Sequence, residues 1–231
     1  MSFGARFMIT VRPIELREVK GDHVRGFSYF SNAGPVRVEQ AGLDYYRALG
    51  LEGIWSENDY WVEIMSLLFW DFIGTLALFE EDFYQVRKKL IKKHIETLSP
   101  ESVLQLMLRI SYAEHYELPS RYVNNWQRYS IDELCAAPDN MSNDQLFRIM
   151  KRLLINFNRN RSGMPDLFFY NPKIQFVEVK AQGDSLRQNQ IGWIRFLART
   201  ANIPVELLLI NHTERKIASV EKEINSVESR V

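Results

Sequence analysis

Residues 163–193, GMPDLFFYNPKIQFVEVKAQGDSLRQNQIGW, constrain the fold more than any other stretch, because they set acids and a lysine where strands carry Val or Ile. Residues 167–170 (LFFY) and 174–177 (IQFV) are aromatic and β-branched runs of strand length, separated by Asn171-Pro172-Lys173, which is turn chemistry. They predict an antiparallel hairpin. Pairing Tyr170 with Ile174 sets Asp166 opposite Glu178, with Cβ atoms about 4.5–5.5 Å apart, near enough to share one divalent ion. Period-two alternation puts Lys180 on the face of Glu178 and turns Val177 and Val179 to the other side.

Carboxylates held that close raise each other's pKa unless a cation neutralises them. Oxygen-only ligands favour a hard ion, Mg²⁺ or Mn²⁺. The same short pattern also describes an exposed edge hairpin whose charges face water. The residues after the hairpin bear on that choice. Asp184 or Ser185 is placed to cap a helix whose apolar positions Leu186, Trp193, Ile194 and Leu197 keep helical spacing. Gln190 lies one turn before Ile194 and points back toward the strand ends.

The combined string, G-x-P-D, eleven residues, E-V-K, then D-x-L, Q and W, closely resembles the virus-type replication-repair nuclease (VRR-NUC) domain, a branch of the PD-(D/E)xK phosphodiesterases. The resemblance implies an α/β (α+β), restriction-endonuclease-like core, a mixed sheet flanked by helices. It also implies that Asp166, Glu178 and the Val179 carbonyl bind Mg²⁺ or Mn²⁺, that Lys180 orients water or stabilises developing charge, and that Gln190 supports them or touches substrate. Residues 38–71, VEQAGLDYYRALGLEGIWSENDYWVEIMSLLFWD, resemble the start of the nuclease domain of the Fanconi-associated nucleases. From the residues alone, Glu57 is a first-turn acid favoured by a helix dipole. The resemblance makes it a third acid of the site.

At 231 residues and 46% hydrophobic content the chain can bury a substantial core. Formal net charge is zero, so a nucleic-acid partner has to be held by local basic patches. A lone cysteine, Cys135, excludes an internal disulfide and a cysteine-cluster zinc site. No secretory core opens the chain, and the most apolar run, residues 64–79, contains Asp71 and is too short to span a bilayer.

The expected organisation is an irregular arm at 1–34, the first nuclease helices at 35–75, a helical insertion at 76–158, the catalytic core at 159–212 and a charged, weakly helical tail at 213–231 that frays. Within the insertion, helices are predicted at 83–98, 101–116, 131–137 and 144–157, the last with a Ser142–Gln145 capping box. A polar connection is expected at 119–130, and residues 203–210 read as a buried strand.

Two basic clusters, residues 87–93 with Lys88 and Lys89, and Lys151, Arg152, Arg159 and Arg161, are candidate DNA contacts. Each also fits a solvated helix face. Trp55 and Tyr60 flank Glu57 as candidate base-stacking rings. The resemblance implies an intracellular, monomeric DNA-repair enzyme of phosphodiesterase I type, a 5′-flap endonuclease and 5′ to 3′ exonuclease on branched or flapped DNA. Alternatives are a dimeric four-way-junction resolvase and a non-catalytic DNA-binding module. The helical insertion favours the first. Full-length family members carry SAP-like and helical-repeat regions upstream, so a minimal or truncated form is expected.

Overall fold

A computed structural model of the chain describes residues 8–19, 29–31, 34–57, 59–73, 83–98, 104–116, 118 and 129–229. The polar connection expected at 119–130 lies, up to residue 128, outside the described residues. Two compact units are built, one from Met1–Trp55 with Pro165–Val231 and one from Ser56–Met164.

The first unit is a five-stranded mixed sheet with helices on both faces. Its strands are β1 (Ile9–Ile14), β4 (Glu52–Trp55), β5 (Leu167–Asn171), β6 (Gln175–Lys180) and β7 (Val205–Ile210), in the spatial order β1-β7-β6-β5-β4. A separate two-stranded ribbon joins β2 (Tyr29–Ser31) to β3 (Gly34–Val36). The β5–β6 hairpin has the predicted register, Leu167↔Val177, Phe168↔Phe176 and Phe169↔Gln175, which continues to Asp166 opposite Glu178. β6 runs parallel to β7, as a crossover through a helix requires.

Helix α1 (Val38–Ala48) buries Ala41, Gly42, Leu43 and Tyr46. Ala41, Leu43 and Tyr46 pack with Leu167, Phe169, Val177, Val179 and Leu208 into one core cluster. Gly42 lets the helix lie close to the sheet, since a Cβ there would sit 3.1 Å from the Val179 side chain. Gly53 does the same for β4, where a Cβ would come within 2.7 Å of the Phe168 carbonyl. Glu178 and Lys180 point to the other face, toward α9 (Gln188–Arg199).

Two expectations change in this unit. Residues 9–14 are not an irregular arm but an edge strand, paired in parallel with β7 from Ile9↔Val205 to Ile14↔Ile210. Pro13 is tolerated there because an edge strand needs no donor on its open side. Neither Asp184 nor Ser185 caps α9: the N-cap is Arg187, and the Asp184 carboxylate instead accepts from the Ala181 N–H at 3.1 Å. The charged tail is helical as expected: it forms α10 (Glu214–Ser229), packed on β1, and buries Val220 and Ile224.

The second unit is helical: α2 (Asp59–Leu68), α3 (Trp70–Ile73), α4 (Phe83–Leu98), α5 (Leu104–His115), α6 (Ile131–Asn140), α7 (Asn143–Ile155) and α8 (Phe157–Asn160). α2 is buried from Tyr60 to Leu68 because it is the central helix, contacting α5, α6 and α7. Among the described residues no helix is long and apolar enough to cross a membrane. The Ser142–Gln145 capping box opens α7, and Ser130 with Glu133 makes a second at α6.

Candidate active site

Glu178 is 0% exposed and Asp166 7%, on paired positions of the hairpin. Burial at that depth is tolerable for a carboxylate only if its charge is met by donors or cations. Lys180 Nζ stands 2.7 Å from Glu178 Oε1, and the Gln190 amide donates to the same oxygen at 2.5 Å. The Gln190 carbonyl in turn accepts from Lys180 Nζ at 3.2 Å and from the Arg187 backbone N–H at 2.9 Å. Two donors on that oxygen leave the NH₂ only one way to face, toward Glu178, so the orientation of the amide is set by its partners.

Asp166 Oδ2 accepts from the Val179 N–H at 2.8 Å. The side chain thereby takes the place of a strand carbonyl one step past the end of β5. An extended residue turns its N–H and C=O to the same side, so the Val179 carbonyl also lies toward the β5 side of its strand. Two carboxylates against one ammonium leave excess negative charge, and a donor set of oxygens suits a hard divalent cation. Among the described residues no group of three or more His, Cys, Asp or Glu side chains is placed to hold a metal ion.

Glu57 is half-buried in a turn between β4 and α2, in the second unit. Its carbonyl accepts from the Asp59 N–H. Arg152, on α7, is half-buried, and burial together with the neighbouring Arg159 cation lowers its pKa. Arg159, on α8, and Arg161, just past it, are exposed. Lys88, Lys89 and Lys151 are exposed on α4 and α7, and Lys88 and Lys151 line one groove.

One stacking expectation fails. Tyr60 is fully buried, its hydroxyl donating to the Glu133 carbonyl at 2.9 Å and accepting from the Ala137 N–H at 3.1 Å, so its ring cannot meet a base. Trp55 is half-buried against the sheet core.

A further buried acid went unrecognised in the sequence. Glu206, in the run VELLLI, accepts from Arg12 Nε at 2.8 Å and from the Tyr46 hydroxyl. By register with Val177 it lies on the α1 face, opposite Glu178. An acid inside an apolar strand was the available signal for it, as it was for Glu178.

A helix, an antiparallel meander, a second helix and a parallel strand, with paired acids and the E-x-K lysine on the hairpin, define the PD-(D/E)xK class of phosphodiesterase folds. Within that class, residues 99–209 match the family profile described as the VRR-NUC domain. Fanconi-associated nuclease 1 homologs are similar to the chain: 27% identical over 199 residues in Schizosaccharomyces pombe, 30% over 183 in Oryza sativa subsp. japonica, and 28% over 193 in Pseudomonas aeruginosa. Those alignments take in 78%, 69% and 76% of this chain, which spans only 28%, 19% and 34% of the relatives. The crystal structure of paFAN1 bound to 2-nt 5′-flap DNA with a gap has the same fold, with a TM-score of 0.74 at 24% identity over 92% of this chain and 39% of that one. Residues 99–209 thus carry a VRR-NUC domain, and the chain is similar to the Fanconi-associated nucleases.

Proposed function

We infer that this chain is a metal-dependent, structure-specific DNA nuclease of phosphodiesterase I type, cutting 5′ flaps and digesting duplex 5′ to 3′ during DNA repair in the cell. The reading is carried by one observation: a fully buried Glu178 paired with Asp166 on the hairpin and bound through a single oxygen by both Lys180 and Gln190. It is supported by the relatives' names and by the flap DNA in the paFAN1 structure.

Asp166 and Glu178, with the Val179 carbonyl, would hold Mg²⁺ or Mn²⁺. A cation bound there lowers the pKa of a water and offsets charge building on the phosphate. Lys180, steered by Gln190, donates to the attacking water or to the developing oxyanion. Glu57 adds a carboxylate from the turn after β4. Arg152, Arg159 and Arg161 contact backbone phosphates and fix the position of the duplex without reading its sequence.

The test is cleavage of end-labelled 5′-flap, four-way-junction and linear duplex DNA in Mg²⁺, Mn²⁺ or EDTA, beside Asp166→Ala. Flap-strand cutting with either cation is expected, absent in EDTA and lowered by about 10²–10³-fold or more in the variant. Cutting that survives EDTA or the substitution refutes the metal-nuclease reading. Symmetrical junction cutting by a dimer assigns a resolvase instead.

A further inference from the structure

The two basic clusters lie far apart in sequence, yet α4 and α7 bring them to the two sides of one groove of about 490 Å³ in the helical unit. The α4 wall carries Lys88 and Lys92, and the α7 wall carries Lys151. Between them the floor is apolar, formed by the half-buried Ile95 packed over the buried Ile91 and Phe147. Arg148, also on the α7 wall, is neutralised by Asp144 at 2.6 Å. Among the described residues Lys88 and Lys151 have no acid within ion-pair distance, while Lys92 reaches Glu96 only at 3.8 Å.

Cations on the rims over an apolar floor are not what a phosphate backbone recognises. Hydrated phosphates gain nothing from isoleucine, and desolvating them there costs energy. Nor does the groove offer a stacking platform, since Phe147 is only 6% exposed and Tyr84, at the same groove, 7%. What such a surface complements is an amphipathic helix, with aliphatic side chains entering at helical spacing and acids on either flank meeting the lysines.

We propose that the α4–α7 groove is a docking site for an acidic, amphipathic helix of a protein partner. Lys88 and Lys151 then serve a protein contact in place of DNA phosphates. The rim charges steer the encounter and set orientation, and the floor holds the apolar knobs. Binding is weakened by salt through the first contribution and by floor substitutions through the second.

The probe is a fluorescein-labelled 16-residue peptide with Leu at i, i+3, i+4 and i+7 spacing and Glu elsewhere, titrated with the whole chain by fluorescence anisotropy. Two controls replace every Glu by Lys or every Leu by Ser. Saturable binding is expected for the acidic leucine peptide, at least tenfold tighter than for either control. Lys88→Glu with Lys151→Glu should weaken it at least tenfold, and Ile95→Glu should do the same, each variant melting within a few degrees of the parent. Unlabelled 5′-flap duplex should fail to displace the peptide. Equal binding of the three peptides, or unchanged binding by the double variant, overturns the proposal. Displacement by flap DNA overturns it too and returns the groove to nucleic acid.

Discussion

Gln190 sets the geometry of the two charged side chains beside it. Its amide bridges Glu178, Lys180 and the Arg187 backbone. Residues that orient a ligand side chain in this way are worth about 10–100-fold in metal affinity or activity. Gln190→Ala should therefore raise the Mn²⁺ concentration for half-maximal flap cleavage about 10–100-fold, a shift that a purely structural loss would not produce. Gln190→Glu should be worse, because it places a further carboxylate against Glu178. Elsewhere, Cys135 is fully buried, and burial pushes its thiol up to about 11. At pH 8 only roughly one thiol in a thousand would then be ionised, against about a quarter for a free one. Iodoacetamide labelling of the folded chain at pH 8 should be about 100-fold slower or more than in urea. The rate should climb with pH until about 11, since the thiolate is the reacting form. At this scale the acid pair and its lysine were legible, because a turn of three residues fixes which side chains oppose. Glu57 was singled out only through the resemblance, since a first-turn acid and a catalytic acid look alike in sequence.

At the scale of elements, the local signals carried furthest where the partner is near in sequence. The capping box at α7 and the hairpin register are both of this kind. Ser142→Ala removes the acceptor for the Gln145 N–H at 3.2 Å and should cost about 1 kcal/mol in urea unfolding. Non-local pairings were invisible. Thr10 and Arg12 meet Glu206 across 196 and 194 residues, and nothing in ITVRPI announces that partner. The contact is energetically weighty. Burial and the Glu206 carboxylate hold the Tyr46 hydroxyl protonated far above its ordinary range, so it remains a donor at every working pH. Tyr46→Phe leaves a buried carboxylate short of one charge-assisted bond and should lower stability by about 1.5–3 kcal/mol, read from the urea midpoint. Lys88 and Lys151 were likewise seen as separate patches, because their meeting depends on how α4 packs on α7.

For the molecule as a whole, β7 is the strand that everything in the first unit leans on, with parallel neighbours on both sides. One neighbour, β1, comes from the far end of the chain. Deleting residues 1–14 strips that edge from VELLLI and leaves Glu206 without Arg12. An uncovered apolar edge invites pairing between chains. The deletion should therefore elute as aggregate in size-exclusion chromatography, where the intact chain gives a discrete peak. Long-range parallel pairing also makes folding slow for the chain's size, which should show as refolding rates well below those of a helical protein of equal length.

Trp55 and Leu167 are Cα partners on adjacent antiparallel strands, and between them the chain makes its whole excursion through the helical unit. The exit and the re-entry are thus one strand apart in a sheet that already holds them together. Since each doubling of a tethered segment costs only about 0.6 kcal/mol in closure entropy, lengthening, trimming or exchanging that excursion leaves the hairpin untouched. Descendants of such a chain are free to acquire new accessory blocks at this doorway while inheriting the same chemistry behind it.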